Sequence, residues 1–303
     1  MKMRFDVAGK CQPDPFIFKD SGKFYLYVTG LQGVEAYASD SLFGNWEYKG
    51  VVTDFQAGRD FWAPSVIRYE GKYYMYVSCE KDEQFQFLHV AVADNPLGPF
   101  TNEKQLYNCF SIDSHVVQTE AGLFLLLAWN RYEGERPGTR VFIDKLLDPW
   151  TPMGDPVEKI VPTFDEEFFT PQCTLEKKWH TVEGPFWFEE DGWQYIMYSG
   201  GCYMDDTYHI GYAAAKTEEQ DLTKVQFIKH TDCGNFDPVL IKNDAEEGTG
   251  HHSVIKLDGQ YYAIYHGRDN IPNAAEEYKE KRTARICRLH VCDGKITAER
   301  ISD

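Results

Sequence analysis

Three acidic residues that lie far apart in the sequence each precede a short apolar run. They are Asp14 in DPFIF, Asp113 in DSHVV and Glu183 in EGPFWF, and His251 opens a fourth such run, HHSVI. A Gly-Pro pair and two aromatic residues follow Glu183, and limited solvation of this kind raises a carboxyl pKa. Hydrolysis of a glycosidic bond requires two carboxyl groups, one protonated and one ionised. The residues therefore indicate acid–base chemistry on a sugar.

These residues share a position in a repeat. Each of five segments has an opening residue, a short alternating strand, a turn that contains glycine and an aromatic-rich strand. The segments open at Asp14, Ala63, Asp113, Glu183 and His251. Their turn glycines are Gly22, Gly71, Gly122, Gly192 and Gly259. Glycine supplies the positive φ that two-residue hairpins need, so each segment is predicted to begin with a β-hairpin.

The spacing of the repeat predicts the fold. Successive openings are 49, 50, 70 and 68 residues apart, which leaves room for about four strands in each unit. Helical periodicity is nearly absent, and residues 274–282 are the only short candidate for a helix. We therefore expect an all-β chain in which residues 1–303 form a single domain, a five-bladed β-propeller. Two β-sandwich domains would also show alternating strands, but the regular phasing of five similar units favours the propeller.

A propeller would bring the opening residues together, because the innermost strand of every blade lines the central axis. Asp14, Asp113, Glu183 and His251 would then meet at one end of that axis, whereas an isolated Glu183 at a strand end would simply face water. In such a cluster Glu183 is the expected general acid and Asp14 the expected general base. Asp113 would raise the pKa of Glu183 through like-charge repulsion.

The overall charge limits the class of partner. The chain has 31 basic and 48 acidic residues and a formal net charge of −17 at pH 7, which disfavours phosphate backbones and anionic lipids. Nucleic acid and membrane partners are therefore not expected, and a small neutral oligosaccharide is. The first residues, MKMRFDVAGK, contain no apolar signal-peptide core, and the eight cysteines show no CxxC spacing. A cytoplasmic location with reduced thiols is the resulting expectation.

At these motifs the sequence resembles glycoside hydrolase family 43, a family of five-bladed propeller enzymes that act on glycans containing arabinose and xylose. The resemblance runs from DPFIF to RTARICRL and implies inversion of the anomeric configuration by a single displacement. It gives Asp14 the role of general base and Glu183 that of general acid. Asp113 matches the aspartate that adjusts the pKa of the acid.

The resemblance also adds three substrate-binding candidates. Trp62 in FWAPS matches a pocket wall residue, Arg282 an arginine that contacts the sugar, and His251 an axial histidine near a bound metal or water. Without the resemblance, core packing explains Trp62 equally well and a surface position explains Arg282 better. One histidine does not make a zinc site. No cofactor is expected for the chemistry, and any metal is expected to be a structural Ca²⁺ at the propeller axis, near His251.

Some features leave details open. Ser114 and His252 stand where the family usually has other residues, and the end of the chain at Asp303 implies that no additional β-sandwich follows the propeller. An insertion at residues 164–180 leads directly into Glu183. It would either shape the leaving-group side of the site or pack as an ordinary loop.

The leading functional hypothesis is an exo-acting hydrolase that releases terminal α-L-arabinofuranose from arabinoxylan-derived oligosaccharides, with β-D-xylose as a second candidate sugar. Among enzymes, the alternative is an arabinan-degrading endo- or exo-α-1,5-L-arabinanase on the same fold. The alternative from another class is a sugar-binding propeller without catalysis. The different opening residues of the five units argue against it, because lectin-like propellers repeat the same binding residues in every blade.

Overall fold

The computed structural model describes residues 1–56, 58–81, 85–169 and 179–302. The chain is all-β, and its five sheets are the blades of a five-bladed β-propeller, as the repeat predicts. The helical residues in the described ranges form two 3-10 turns, Asp165–Glu167 and Glu276–Glu280. The second turn lies in the predicted helical segment 274–282. Neither turn has the length or the apolar character that crossing a membrane would require.

Each blade is an antiparallel sheet in which the innermost strand comes first in the chain, apart from β1, which joins blade I in parallel to β5. Blade I contains β1 (Arg4–Phe5), β2 (Phe16–Asp20), β3 (Lys23–Val28), β4 (Glu35–Ser39) and β5 (Asn45–Val51). Blade II contains β6 (Arg59–Tyr69), β7 (Lys72–Glu80), β8 (Phe87–Ala93) and β9 (Thr101–Gln105).

Blades III to V follow in the same order along the chain. Blade III contains β10 (Ser111–Thr119), β11 (Gly122–Arg131), β12 (Gly138–Asp148), β13 (Thr151–Pro152) and β14 (Val157–Ile160), the last two both paired with β12. Blade IV contains β15 (Val182–Glu190), β16 (Trp193–Gly200), β17 (His209–Lys216) and β18 (Ile228–Lys229). Blade V contains β19 (Glu246–Leu257), β20 (Gln260–Asp269), β21 (Thr283–Cys292) and β22 (Lys295–Arg300).

The predicted hairpins are confirmed. All five turn glycines have a positive φ, from 76° at Gly192 to 125° at Gly122. In four of the turns the preceding residue is also left-handed, with φ of 48–50°. Two consecutive positive φ values define the type I′ turn, whose twist matches that of the two strands it joins. Each turn follows the last residue of an inner strand, so the turns lie at the end of the propeller opposite the opening residues.

The apolar core lies between the blades. It consists of five clusters, each shared by two neighbouring blades, so burial of apolar area holds every sheet against the next. Representative pairs are Tyr25 and Val66 between blades I and II, Tyr76 and Val116 between II and III, Phe124 and Ile196 between III and IV, Met197 and Ala263 between IV and V, and Ile264 and Leu26 between V and I. The inner strands also contact one another in a closed cycle and surround the axis.

Residues 1–5 connect blade I to blade V. Strand β1 pairs with β5 of blade I. The backbone N–H of Met3 donates to the carbonyl of Ala284 at 3.0 Å, and that of Ile286 donates to the carbonyl of Met1 at 3.0 Å. The segment therefore spans the seam at which the first and the last blade meet.

Candidate active site

Each blade has a residue in the left-handed region of φ within its inner strand or, in blade I, two residues before it. The values are 53° for Asp14, 47° for Ala63, 58° for Asp113, 57° for Gly184 and 45° for His251. In blades II to V the pairing of the inner strand with the second strand shifts its register at this residue. A positive φ is costly for residues other than glycine and is typical of functional sites. The predicted openings of four blades are thus structurally equivalent.

Glu183 is not one of these equivalent residues. The corresponding residue of blade IV is Gly184, and Glu183 precedes it by one position. Glu183 is therefore equivalent to Trp62, which precedes Ala63 in blade II, and to Gly250, which precedes His251 in blade V. The expectation that Glu183 shares the phase of the two aspartates is therefore wrong by one residue. Because successive side chains point in different directions, its carboxyl group approaches the axis from a different direction than theirs.

The openings nevertheless converge. They line an axial cavity of about 20 Å³, which has room for about one water molecule. The cavity is lined by residues 14–16, 63–64, 113–115, 184–186 and 251–252. Asp113, Glu183 and His251 also meet here, since one side-chain oxygen or nitrogen of each lies within 4.8 Å of the other two.

Asp14 is surrounded by polar partners. It is buried, Nη1 of Arg282 donates to its Oδ1 at 3.3 Å, and the Thr29 hydroxyl donates to its Oδ2 at 2.5 Å. Nδ1 of His266 accepts the Asp14 backbone N–H at 3.1 Å. Burial raises the pKa of Asp14, but the charges of His251 and Arg282, together with the contact and charge of His266, lower that pKa below its ordinary value of 3.8. Asp14 is therefore ionised at neutral pH.

Glu183 has the opposite electrostatic setting. Burial raises its pKa from 4.5 to about 7; a hydrogen bond from Tyr208 opposes the rise and the negative charge of Asp14 adds to it. The Tyr208 hydroxyl donates to Oε1 of Glu183 at 2.8 Å. A carboxyl group with this pKa is substantially protonated at neutral pH and is able to act as a general acid.

Asp113 is coupled to Glu183. It is buried, and its Oδ2 accepts the backbone N–H of Gly184 at 3.1 Å. Burial raises the pKa of Asp113 above its ordinary value, and the charges of Glu183 and Asp14 raise it further. Asp113 and Glu183 therefore titrate as an interacting pair in which ionisation of one disfavours ionisation of the other.

Arg282 and His251 both contact the carboxylates. The Arg282 side chain is only 12% exposed beside Asp14, and its guanidinium lies 4.5 Å from the ring centre of Tyr203. It is therefore not the surface arginine that its sequence context alone favours. Nδ1 of His251 lies 3.4 Å from Oδ1 of Asp14 and 3.9 Å from Oδ2 of Asp113.

Trp62 lies at the edge of this site, and the described ends of the insertion lie against blade III. Trp62 precedes a cavity-lining residue and is 38% exposed, so the alternative of core packing does not hold. Of the insertion at 164–180, residues 170–178 lie outside the described residues. At its described ends, His180 forms β-bridges with Gly138 and Phe168, which attaches the end of the insertion to blade III.

Sequence reasoning missed three polar residues of the site: Thr29, Tyr208 and His266. Thr29 directly follows the second strand of blade I, and His266 pairs with Gly250 near the end of the second strand of blade V. The second strand of a hairpin returns to the end of the axis where the first one started. The repeat, if followed to the last residues of each second strand, would have indicated Thr29 and His266. Tyr208 lies in a loop that no repeat position marks.

The axial cavity does not fit a calcium ion. Calcium takes 6–8 oxygen ligands, whereas Asp113, Glu183 and His251 bring together one ligand atom each, two oxygens and one nitrogen, and the rest of the cavity lining is mainly proline, histidine and phenylalanine. A mostly hydrated ion would also need more space than about one water molecule occupies. The expected structural Ca²⁺ at the axis is therefore not supported.

Curated proteins resemble this chain over most of its length. An extracellular exo-α-(1→5)-L-arabinofuranosidase from Streptomyces avermitilis is 27% identical over 84% of this chain, which spans about half, 54%, of that protein. A xylosidase/arabinosidase from Bacteroides ovatus is 24% identical over 97% of this chain and 96% of its own length. Relatives from Streptomyces chartreusis and Cellvibrio japonicus are also named extracellular. The expectation of a cytoplasmic location is therefore wrong.

A solved structure shares the entire architecture. The crystal structure of a thermostable family-43 glycoside hydrolase matches with a TM-score of 0.82 at 29% identity, over 98% of this chain and 96% of that one. The family described as Glycosyl hydrolases family 43 matches residues 7–296, from before the first axial acid into the last strand of blade V. The match includes strands of all five blades and the residues Asp14, Asp113, Glu183 and His251. The chain therefore belongs to glycoside hydrolase family 43.

Proposed function

We propose that the chain is an inverting exo-glycoside hydrolase that releases terminal α-L-arabinofuranose, with terminal β-D-xylose as a second substrate. The observation that carries this proposal is the contrast between two carboxyl groups at one axial site. The pKa of Glu183 is raised to about 7, whereas that of Asp14 is lowered below its ordinary value. Such a pair supplies a general acid and a general base at the same pH.

In the proposed reaction, Glu183 protonates the glycosidic oxygen as its bond to the anomeric carbon breaks. Asp14 takes a proton from the water that forms the new bond on the opposite face of the sugar. Inverting enzymes keep the two carboxyl groups about 6.5–9.5 Å apart to hold this water, compared with about 5–5.5 Å in retaining enzymes. Arg282 keeps Asp14 ionised until the water is bound. Burial and the charge of Asp14 favour the protonated form of Glu183, and Asp113 titrates with Glu183 as an interacting pair.

Membership of the family makes the chain a glycoside hydrolase that needs no cofactor for its chemistry, rather than a sugar-binding propeller without activity. The names of the relatives support a pentose substrate, since they specify arabinofuranosidase and xylosidase/arabinosidase activities. The name of the Streptomyces avermitilis protein also favours (1→5)-linked arabinose as one substrate of this chain. The partly exposed indole of Trp62 offers a flat apolar face for a sugar ring.

Product analysis tests this proposal. The purified protein is incubated with nitrophenyl α-L-arabinofuranoside, nitrophenyl β-D-xyloside, arabinan and arabinoxylan oligosaccharides, and the products are separated by chromatography. NMR identifies the anomer that forms first. Free pentose of inverted configuration is expected from the start of the reaction. Early release of arabino-oligosaccharides would indicate an endo-arabinanase, and a retained anomer would overturn the single-displacement mechanism.

A further inference from the structure

Tyr208 contacts the general acid directly. It lies in the loop before β17, is 1% exposed, and donates a hydrogen bond from its hydroxyl to Oε1 of Glu183 at 2.8 Å. With Oε1 occupied as an acceptor, Oε2 is the carboxyl oxygen left to carry the proton toward a leaving group. The direction of this one hydroxyl therefore decides which edge of the carboxyl group faces the substrate.

Two neighbouring residues of blade V contact the Tyr208 ring. The ring stacks on the imidazole of His266, with centres 5.6 Å apart and planes inclined by 10°. At Gly250, which pairs with His266, a Cβ atom would lie 2.2 Å from Cε1 of Tyr208. Blade V thus has glycine in the phase where blade IV has Glu183, and the missing side chain leaves the space that the tyrosine fills.

His266 connects the same stack to the general base, because its Nδ1 accepts the backbone N–H of Asp14. The acid and the base, which belong to different blades, are therefore positioned by two aromatic rings in contact. The Tyr208 hydroxyl contacts Glu183, whereas Nδ1 of His266 contacts Asp14. Removal of the Tyr208 hydroxyl therefore leaves the contact with Asp14 intact.

We infer that Tyr208 is a positioning residue for Glu183, which holds the carboxyl group in the direction for proton donation. This inference rests on the proposed role of Glu183 as the general acid. Burial raises the pKa of Tyr208, and the charges of Glu183 and Asp113 raise it further, so the hydroxyl keeps its proton and remains a donor. A hydrogen bond donated to a carboxylate favours the ionised form. It therefore assists the step in which Glu183 gives up its proton.

The dependence of kcat on the leaving group distinguishes a positioning role of Tyr208 from a general structural role. A dinitrophenyl pentoside departs without protonation, whereas an oligosaccharide or alkyl pentoside needs the general acid. Tyr208→Phe is expected to reduce kcat on the unactivated substrate roughly tenfold to a hundredfold, a large part of what a general acid contributes. Its kcat on the dinitrophenyl substrate should hardly change.

The pH profile gives a second measurement. Besides Tyr208, the charged and titratable groups near Glu183 are Asp14, Asp113, His251 and Arg282, and none of them is altered in Tyr208→Phe. Loss of the hydrogen bond should raise the pKa of Glu183 and move the alkaline limb of kcat/KM upward by about one pH unit.

Two further variants complete the design. Tyr212→Phe removes another buried tyrosine hydroxyl of blade IV, whose ring stacks on His230 instead, and it should leave the leaving-group dependence unchanged. Gly250→Ala keeps every hydroxyl but displaces the Tyr208 ring, and it should reproduce the selective loss on the unactivated substrate. Thermal unfolding of each variant reports whether it remains folded.

The outcomes distinguish this inference from the proposed function. If Glu183→Gln cleaves the unactivated substrate as well as the parent protein does, the proposed role of Glu183 is wrong. If Glu183→Gln is inactive on that substrate but Tyr208→Phe slows both substrates equally, Tyr208 has only a structural role and the inference fails. A Tyr208→Phe variant that behaves like Tyr212→Phe would also overturn it.

Discussion

The hydroxyl of Thr29 donates to Oδ2 of Asp14 at 2.5 Å and accepts the backbone N–H of Ala63 at 2.9 Å. One side chain therefore joins the proposed base of blade I to the inner strand of blade II. Arg282 contacts the other carboxyl oxygen of Asp14 at 3.3 Å. Both oxygens of the carboxylate are thus held, which fixes the direction in which it faces the attacking water.

Removal of the Thr29 hydroxyl should impair catalysis. Thr29→Val keeps the shape of the side chain but leaves Oδ2 of Asp14 without this donor, and the Ala63 N–H loses its acceptor. A hydrogen bond to a charged group contributes about 1.5–3 kcal/mol, so we expect kcat to fall roughly tenfold or more. Thr29→Ser retains the hydroxyl and is the matched control. Equal kcat values for the two variants would show that the contact does not orient the base.

The pH dependence of activity should report Glu183. Burial raises the pKa of Glu183 to about 7, and a general acid must be protonated to act. On an unactivated pentoside, kcat/KM is therefore expected to decline as the pH rises through about 7. The decline should be nearly absent on a dinitrophenyl pentoside. Constant kcat/KM from neutral to strongly alkaline pH on the unactivated substrate would contradict the assignment.

Glu183 should also reduce folding stability at alkaline pH. Its pKa is about 7 in the folded protein and ordinarily 4.5, so the folded state holds the proton more tightly than the unfolded chain does. Stability is then lost as the pH rises from about 4.5 to about 7, by at most about 3 kcal/mol, because each pKa unit corresponds to 1.36 kcal/mol.

Glu183→Gln cannot ionise and should therefore unfold at a higher temperature than the parent protein at about pH 8, but not at about pH 4. Thermal unfolding at both pH values measures the difference. The control is Glu189→Gln, which alters an exposed glutamate of the same strand. A Glu183→Gln variant with the same advantage at both pH values would show that ionisation is not the cause.

The repeat in the sequence was sufficient to predict the five blades and the convergence of Asp14, Asp113 and His251, because hairpin turns and opening residues recur at one phase. It was insufficient for the phase of Glu183, which stands one residue before the equivalent position Gly184, because the register shift that marks this position is visible only in the paired strands. The contact of Arg282 with Asp14 depends on the loop between β20 and β21, and no periodicity predicts where such a loop folds. Tyr208 also lies in a loop, just before β17, so the repeat does not predict its contact with Glu183 either.

A buried ion pair connects the insertion to blade IV. Glu167 is 0% exposed, Lys229 donates to its Oε1, and Tyr198 donates to the same oxygen at 3.4 Å. The backbone N–H of Thr181 donates to the carbonyl of Glu167 at 2.8 Å, just before the strand that carries Glu183. The pair therefore anchors the insertion where the chain enters the active site.

Single changes in this pair should be more harmful than the double change. Glu167→Gln or Lys229→Met alone leaves a buried charge without its partner, which costs about 3–5 kcal/mol. The double variant removes both charges and keeps an amide oxygen as acceptor, so its loss in free energy of unfolding should be far below the sum of the two single losses. Denaturant unfolding at neutral pH measures all three.

The control is Lys224→Met, at an ion pair with Asp221 in which the lysine is exposed; it should cost less than about 1 kcal/mol. If the single losses simply add in the double variant, the two side chains do not stabilise the insertion as a pair.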